Sequence, residues 1–237
     1  MGDEPLRLSF TNESDIGAAI SDLGGVAVRL DGPTTDELED WTGVVVDLEQ
    51  TIDYCTEALK TVKPGVAQTL TQQAFGAAAL VTFGRCFGVG VRQVRPDTTG
   101  MNEVQESEFK RLLNLRDKHV AHSANDYEQN IAFVLLAPAA GGLTIRQVLN
   151  TSFLVDPLDA EGFNNLAQLA GVMLARAHQR CEELNARLRS EAEGLDLDAL
   201  YALPPLVVRI PTNESVGVQR PNSKSRARVR ARDQGNV

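Results

Sequence analysis

The side chains best suited to chemistry are concentrated in one segment, Leu115-Arg-Asp-Lys-His-Val-Ala-His-Ser123. It holds a guanidinium (Arg116), a carboxylate (Asp117), an ammonium (Lys118), two imidazoles (His119 and His122) and a hydroxyl (Ser123). Imidazole has the ordinary pKa nearest neutrality, which suits it to general acid/base work. Arginine is permanently charged and fork-shaped, and so matches a phosphate and the added charge of a phosphoryl transition state. Held together, an arginine and a histidine can cleave RNA without a metal. One withdraws the proton of the 2′-hydroxyl and the other steadies the pentacoordinate phosphorus.

Arg116, the polar Asp117, four further residues and His122 resemble the Arg-polar-x-x-x-x-His motif of HEPN domains. The run Arg-Asp-Lys-His-Val-Ala-His-Ser is similar to the abortive-infection branch of that superfamily. The resemblance implies an all-helical bundle with the motif on a late helix. It further implies a metal-independent endoribonuclease of a toxin–antitoxin, abortive-infection or other defence system, with no cofactor. Such domains form homodimers in which two motifs face each other, and an antitoxin or regulatory protein is an expected partner. On this resemblance Arg116 and His122 are catalytic and Asp117 orients one of them. It covers the motif and the helix order from about Thr34 to Glu193, leaving out the N-terminal arm, the hairpin and the basic tail.

Spacing constrains the pair. Six residues of unbroken α-helix rotate by about 240°, so Arg116 and His122 diverge unless the helix unwinds near Ala121 or a partner subunit supplies one of them. Arg116 and His119, at i and i+3, are neighbours, which keeps His119 as a rival to His122. Lys118, Ser123 and Asn125 are candidates to contact RNA, with Tyr127 close behind, while a turn role is the competing reading of Asn125 and Tyr127. A purely structural alternative has Asp117 and Lys118 on a solvated face, His119 bonded to a carbonyl and Arg116 paired with Glu108, Glu128 or another carboxylate. The chain would then be a non-catalytic helical interaction protein of a defence or phage system.

The elements around the motif follow from apolar spacing. Leu38, Trp41, Val45, Leu48, Ile52, Cys55, Leu59 and Val62 recur at alternating steps of three and four, predicting a helix from Thr34 to about Lys63. Thr34 followed by Glu37 reads as its capping box, and the same seam is the surface that the interaction-protein alternative would use. A second helix, Val66 to about Val91, carries Val66, Leu70, Ala74, Ala77, Leu80, Phe83, Phe87 and Val91 as its inner stripe. Its small-residue centre and the Pro64-Gly65 turn predict antiparallel packing on the first. The motif helix runs from about Glu103 to Ser123, with Phe109, Leu112, Leu113, Arg116 and Val120 inward. Apolar and β-branched runs around Gly141-Gly142 predict a β-hairpin near 130–150. A last long helix ends at Gly194, and a short helical turn follows to Tyr201. The expected fold is therefore a mainly α, antiparallel helical bundle (34–210) with a small hairpin insertion, an N-terminal arm (1–33) and a disordered Arg-rich tail (211–237).

Composition bounds the rest. With 237 residues, 43% hydrophobic and 23% charged, the chain is an ordinary globular sequence and not a collagenous, disulfide-framework or wholly disordered one. Its longest uncharged apolar stretch, Ile131 to Ala140, is interrupted by Pro138 and falls well short of the about 20 residues of a membrane helix. No export signal is evident at Met1-Gly-Asp-Glu-Pro5, so a cytoplasmic protein without membrane association is expected. Cys55, Cys86 and Cys181 read as reduced core residues, and three histidines are too few to favour a zinc site. His178 reads as structural or exposed. Gly84-x-x-x-Gly88-x-Gly90 sits in a helix pattern without a preceding strand, which argues against a dinucleotide site. The net charge is −9, but six cations against one Asp from Gln219 onward give the tail +5 and leave −14 on the remainder. Arg226, Arg228 and Arg230 in that tail suit an electrostatic tether for RNA or an acidic partner, with a solvated tail that does neither as the equal alternative.

Overall fold

The computed structural model describes residues 22, 26–63, 68–88, 90, 92–120, 128–139, 142–154 and 158–206. It is mainly helical: α1 (Pro33–Thr61), α2 (Leu70–Arg85), α3 (Glu103–Leu115), a π-helical turn (Arg116–Val120), β1 (Glu128–Ala139), β2 (Gly142–Leu154), α4 (Ala160–Glu193) and α5 (Leu197–Tyr201). Among the described residues no helix is long and apolar enough to cross a membrane. The chain divides into two compact units, one of Met1–Val45, Val89–Arg95 and Ala175–Val237, the other of Val46–Gly88 and Pro96–Leu174.

In the first unit, polar groups fix the start of α1. Pro33 occupies the first helical position, where its missing N–H costs nothing, and the Asp36 N–H donates to the Gly32 carbonyl at 3.0 Å. The expected capping box is therefore not what begins this helix. Thr34, already inside it, donates to Glu191 Oε1 at 2.7 Å, and Glu37 accepts from Arg180 at 2.8 and 3.2 Å. The hydrogen bond from Thr34, with Arg187 adding, holds the Glu191 carboxyl below the usual carboxylate range. Bonds to Glu183 and Glu37 push Arg180 further up. Arg29 reaches Asp31, Asp36 and Glu39, and the Leu206 N–H donates to the Ala27 carbonyl at 2.8 Å.

In the second unit, α2 runs antiparallel to α1, as the contact order shows: Asp47 meets Arg85, Thr51 meets Thr82 and Tyr54 meets Phe75. Of the α1 seam, Val45, Leu48 and Cys55 are buried, while Leu38, Trp41, Ile52, Leu59 and Val62 are half-buried. The α2 stripe lies on a different phase from the expected one. Leu70 is 80% exposed and Ala74 is exposed, whereas Gln72, Gly76, Ala79, Leu80, Thr82, Phe83 and Gly84 are buried. The cause is the small-residue face: a Cβ on Gly76 would stand 3.4 Å from the Phe163 ring of α4, so close approach there decides the phase. Helix α2 is also shorter than expected because Thr69 and Gln72 cap it in a reciprocal box. Asn102 and Gln105 do the same for α3.

Strands β1 and β2 form one antiparallel hairpin, longer than expected, with Glu128 opposite Leu154 and Ala139 opposite Gly142. Its ladder shifts register between Leu135 and Leu136, whose partners are Gln147 and Ile145, which leaves Arg146 as an extra, unpaired bulge residue. Residues 1–21, the 121–127 connection and the tail from 207 onward lie outside the described residues.

Candidate active site

The motif helix does not continue as an α-helix to Ser123. Regular α3 ends at Leu115, and the next five residues, Arg116-Asp-Lys-His-Val120, form a π-helical turn. A π turn closes its hydrogen bonds one residue wider than an α turn and so rotates less per residue; such turns recur at functional sites. The turn begins at Arg116, whereas Ala121, where unwinding was expected, and His122 lie outside the described residues.

Arg116 is positioned from three sides. Its backbone caps α3, donating to the Leu112 and Leu113 carbonyls, and a cation suits the negative end of a helix. Its neighbours Leu112 and Leu115 are buried and anchor the turn to the core. Its aliphatic stem lies across Gly84, where a Cβ would come within 2.9 Å of Arg116 Cγ and 3.1 Å of Cδ and Nε. Around Gly84 in sequence, Phe83 and Phe87 join Phe109 of α3 in an aromatic cluster with ring centroids 4.8 to 6.1 Å apart. The cluster ties the end of α2 to α3, so that the glycine and the arginine meet at a fixed height.

At its far end, Arg116 Nη1 donates to Asp117 Oδ1 at 2.6 Å, with the two side chains 34% and 60% exposed. As the structural alternative expects, Asp117 and Lys118 are exposed and Arg116 is paired with a carboxylate, although Glu108 accepts instead from Arg111 Nε and Nη2 at 2.7 and 2.6 Å. An ion pair this exposed contributes only about 0–1 kcal/mol, so a phosphate can compete for the guanidinium. Lys118 is exposed beside it. His119 belongs to the π turn, while the expected His122, Ser123, Asn125, Tyr127, Arg226, Arg228 and Arg230 lie outside the described residues. The structure thus brings Arg116, Asp117 and Lys118 together at a half-open surface.

Gly84 is the residue that sequence reading missed. Its signal was a glycine near the end of a helix, and its partner lies 32 positions away on another one. His178 is exposed on α4, Cys55 and Cys86 are buried, and Cys181 is half-buried. Among the described residues no three His, Cys, Asp or Glu side chains converge as a metal site would need. Compared with protein-family models, with curated proteins and with solved structures, the chain gives no match.

Proposed function

We propose that this chain is a HEPN-like, metal-independent endoribonuclease acting as a toxin or defence effector. The observation that carries this function is the π-helical turn beginning at Arg116, with the guanidinium held between the Gly84 surface and the Asp117 carboxylate. The turn falls on the chain's most reactive segment, and π turns recur at functional sites, which supports a chemical role for it. In the proposed reaction His122 withdraws the 2′-hydroxyl proton, and the 2′-oxygen attacks the adjacent phosphorus. The 5′-oxygen leaves with a proton from the acid on the opposite side, giving a 2′,3′-cyclic phosphate and a 5′-hydroxyl. The acid is the second His122 of a homodimer, and His119 is the rival for either place. Arg116 stabilises the added charge on the phosphorane, an effect whose removal typically costs 10²–10³ in rate. Asp117 orients Arg116, Lys118 and the tail arginines hold the phosphate backbone, and an antitoxin or regulatory protein restrains the site.

Incubation of purified protein with RNA in EDTA tests this function. The expected products are fragments ending in 2′,3′-cyclic phosphate, absent with His122→Ala while far-ultraviolet circular dichroism is unchanged. Uncut RNA, or equal cleavage by wild type and variant, would overturn it. The interaction-protein alternative would use the α1 seam, of which Val45, Leu48 and Cys55 are buried and Leu38, Trp41, Ile52, Leu59 and Val62 half-buried.

A further inference from the structure

The hairpin carries an apolar surface that the described residues do not cover. None of its described side chains is buried, and eight large apolar ones are 38–69% exposed. An isolated two-stranded hairpin is at best marginally stable in water, so a pair of strands of this length needs a cover for one of its faces.

Register identifies which face. Cross-strand partners share a face, so Val134 with Val148, Leu136 with Ile145, and Pro138 with Leu143 stand together. Without the bulge, strict alternation would put Leu143 and Ile145 on the side opposite Val148. The extra residue Arg146 brings all three to one side, with Val134 and Leu136. These five are 49–69% exposed, whereas Ile131, Phe133 and Leu135 on the other face are 38–42% exposed. The open face is thus also the one that the bulge makes continuously apolar.

We infer that the open face of the hairpin is the surface through which two copies of this chain associate, face to face about a two-fold axis. Two observations select a second copy as the occupant. The first is area: the five side chains expose on the order of 500 Å² per copy, so pairing removes on the order of 1,000 Å², the size at which specific interfaces begin. The second is charge. The chain carries net −9, and like-charged copies repel over most of their surface, whereas the hairpin's only ionisable residues are Glu128 at its end and the bulge residue Arg146. A two-fold axis needs a self-complementary patch, and a continuously apolar sheet face is one. The inference deepens the nuclease function and rests on it only for the role of the pair. Its own residues lie in the hairpin.

Sedimentation velocity on the full chain tests it, without RNA. Wild type is expected to sediment as a dimer, and Ile145→Lys/Val148→Lys as a monomer with unchanged circular dichroism. A second variant, Ile145→Thr/Val148→Thr, keeps β-branched residues at both positions and is expected to weaken association at least tenfold. A monomeric wild type at about 100 µM, or folded Lys or Thr variants that stay as dimeric as wild type, would overturn the inference. Because the readout is mass and not cleavage, the two failures are distinguishable: an inactive dimer overturns the nuclease function alone, whereas an active monomer overturns the interface and the two-subunit form of the site while leaving metal-independent cleavage standing.

Discussion

At the scale of single residues, the account turns on one arginine and the glycine beneath it. Gly84→Ala would set a Cβ 2.9 Å from Arg116 Cγ, displacing the stem in its middle and not at its flexible tip. Alanine raises helix propensity by roughly 0.5–1 kcal/mol, which offsets part of the about 1–3 kcal/mol of overpacking. The variant is therefore expected to lose no more than about 2 kcal/mol in denaturant unfolding while RNA cleavage falls at least tenfold. Unchanged cleavage would free Arg116 from dependence on Gly84. Burial pushes the Cys55 thiol up to about 12, whereas an unfolded thiol titrates near about 8.5. Its contribution to stability is thus complete below about pH 8.5 and is lost as pH rises toward 12, because the unfolded chain releases the proton first. Wild type should lose stability relative to Cys55→Ala across that interval, by about 1 kcal/mol per pH unit; parallel curves would contradict the burial. The reactive segment was legible in sequence because residue type alone marks it. Its Gly84 support was not, because a contact between residues 32 apart on two helices leaves no local pattern.

Helix starts and stops show where local chemistry decides and where tertiary structure overrides it. The length of α1 follows from its apolar spacing, but its expected Thr34–Glu37 box yields to partners on α4, since Glu191 and Arg180 are within reach only in the fold. At α2 the opposite holds: Thr69 and Gln72 cap the helix locally, a pattern present in the sequence but obscured by the apolar Val66 ahead of it. Thr69→Ala should cost about 1 kcal/mol by thermal or denaturant unfolding, because the Gln72 N–H loses its side-chain acceptor. No loss of stability would mean that α2 is held by packing alone. The phase of α2 was misjudged for a related reason: leucine at position 70 marks a stripe by composition, whereas Gly76 and Ala79 mark it by allowing approach. The hairpin was visible from its β-branched runs and Gly141-Gly142. Its bulge was not, since a single extra residue shows only against a partner strand.

For the molecule as a whole, charge asymmetry governs how an acidic chain meets an acidic polymer. The tail from Gln219 supplies +5 against −14 elsewhere, so it is the expected source of salt-dependent RNA affinity. Truncation after Val218 should flatten the plot of log affinity against log salt by up to about 4, at roughly 0.7 per cation for single strands; an unchanged slope would remove the tether. The central claim is that Arg116 and His122 act as a unit in one composite site. Single-turnover cleavage of one oligoribonucleotide in EDTA by wild type, Arg116→Ala, His122→Ala and the double variant tests it most directly. Residues that act together are strongly non-additive, so the double variant should be no slower than the slower single variant, with each single loss at least 10²-fold. Losses that multiply in the double variant, or either single variant cleaving at the wild-type rate, would contradict the claim.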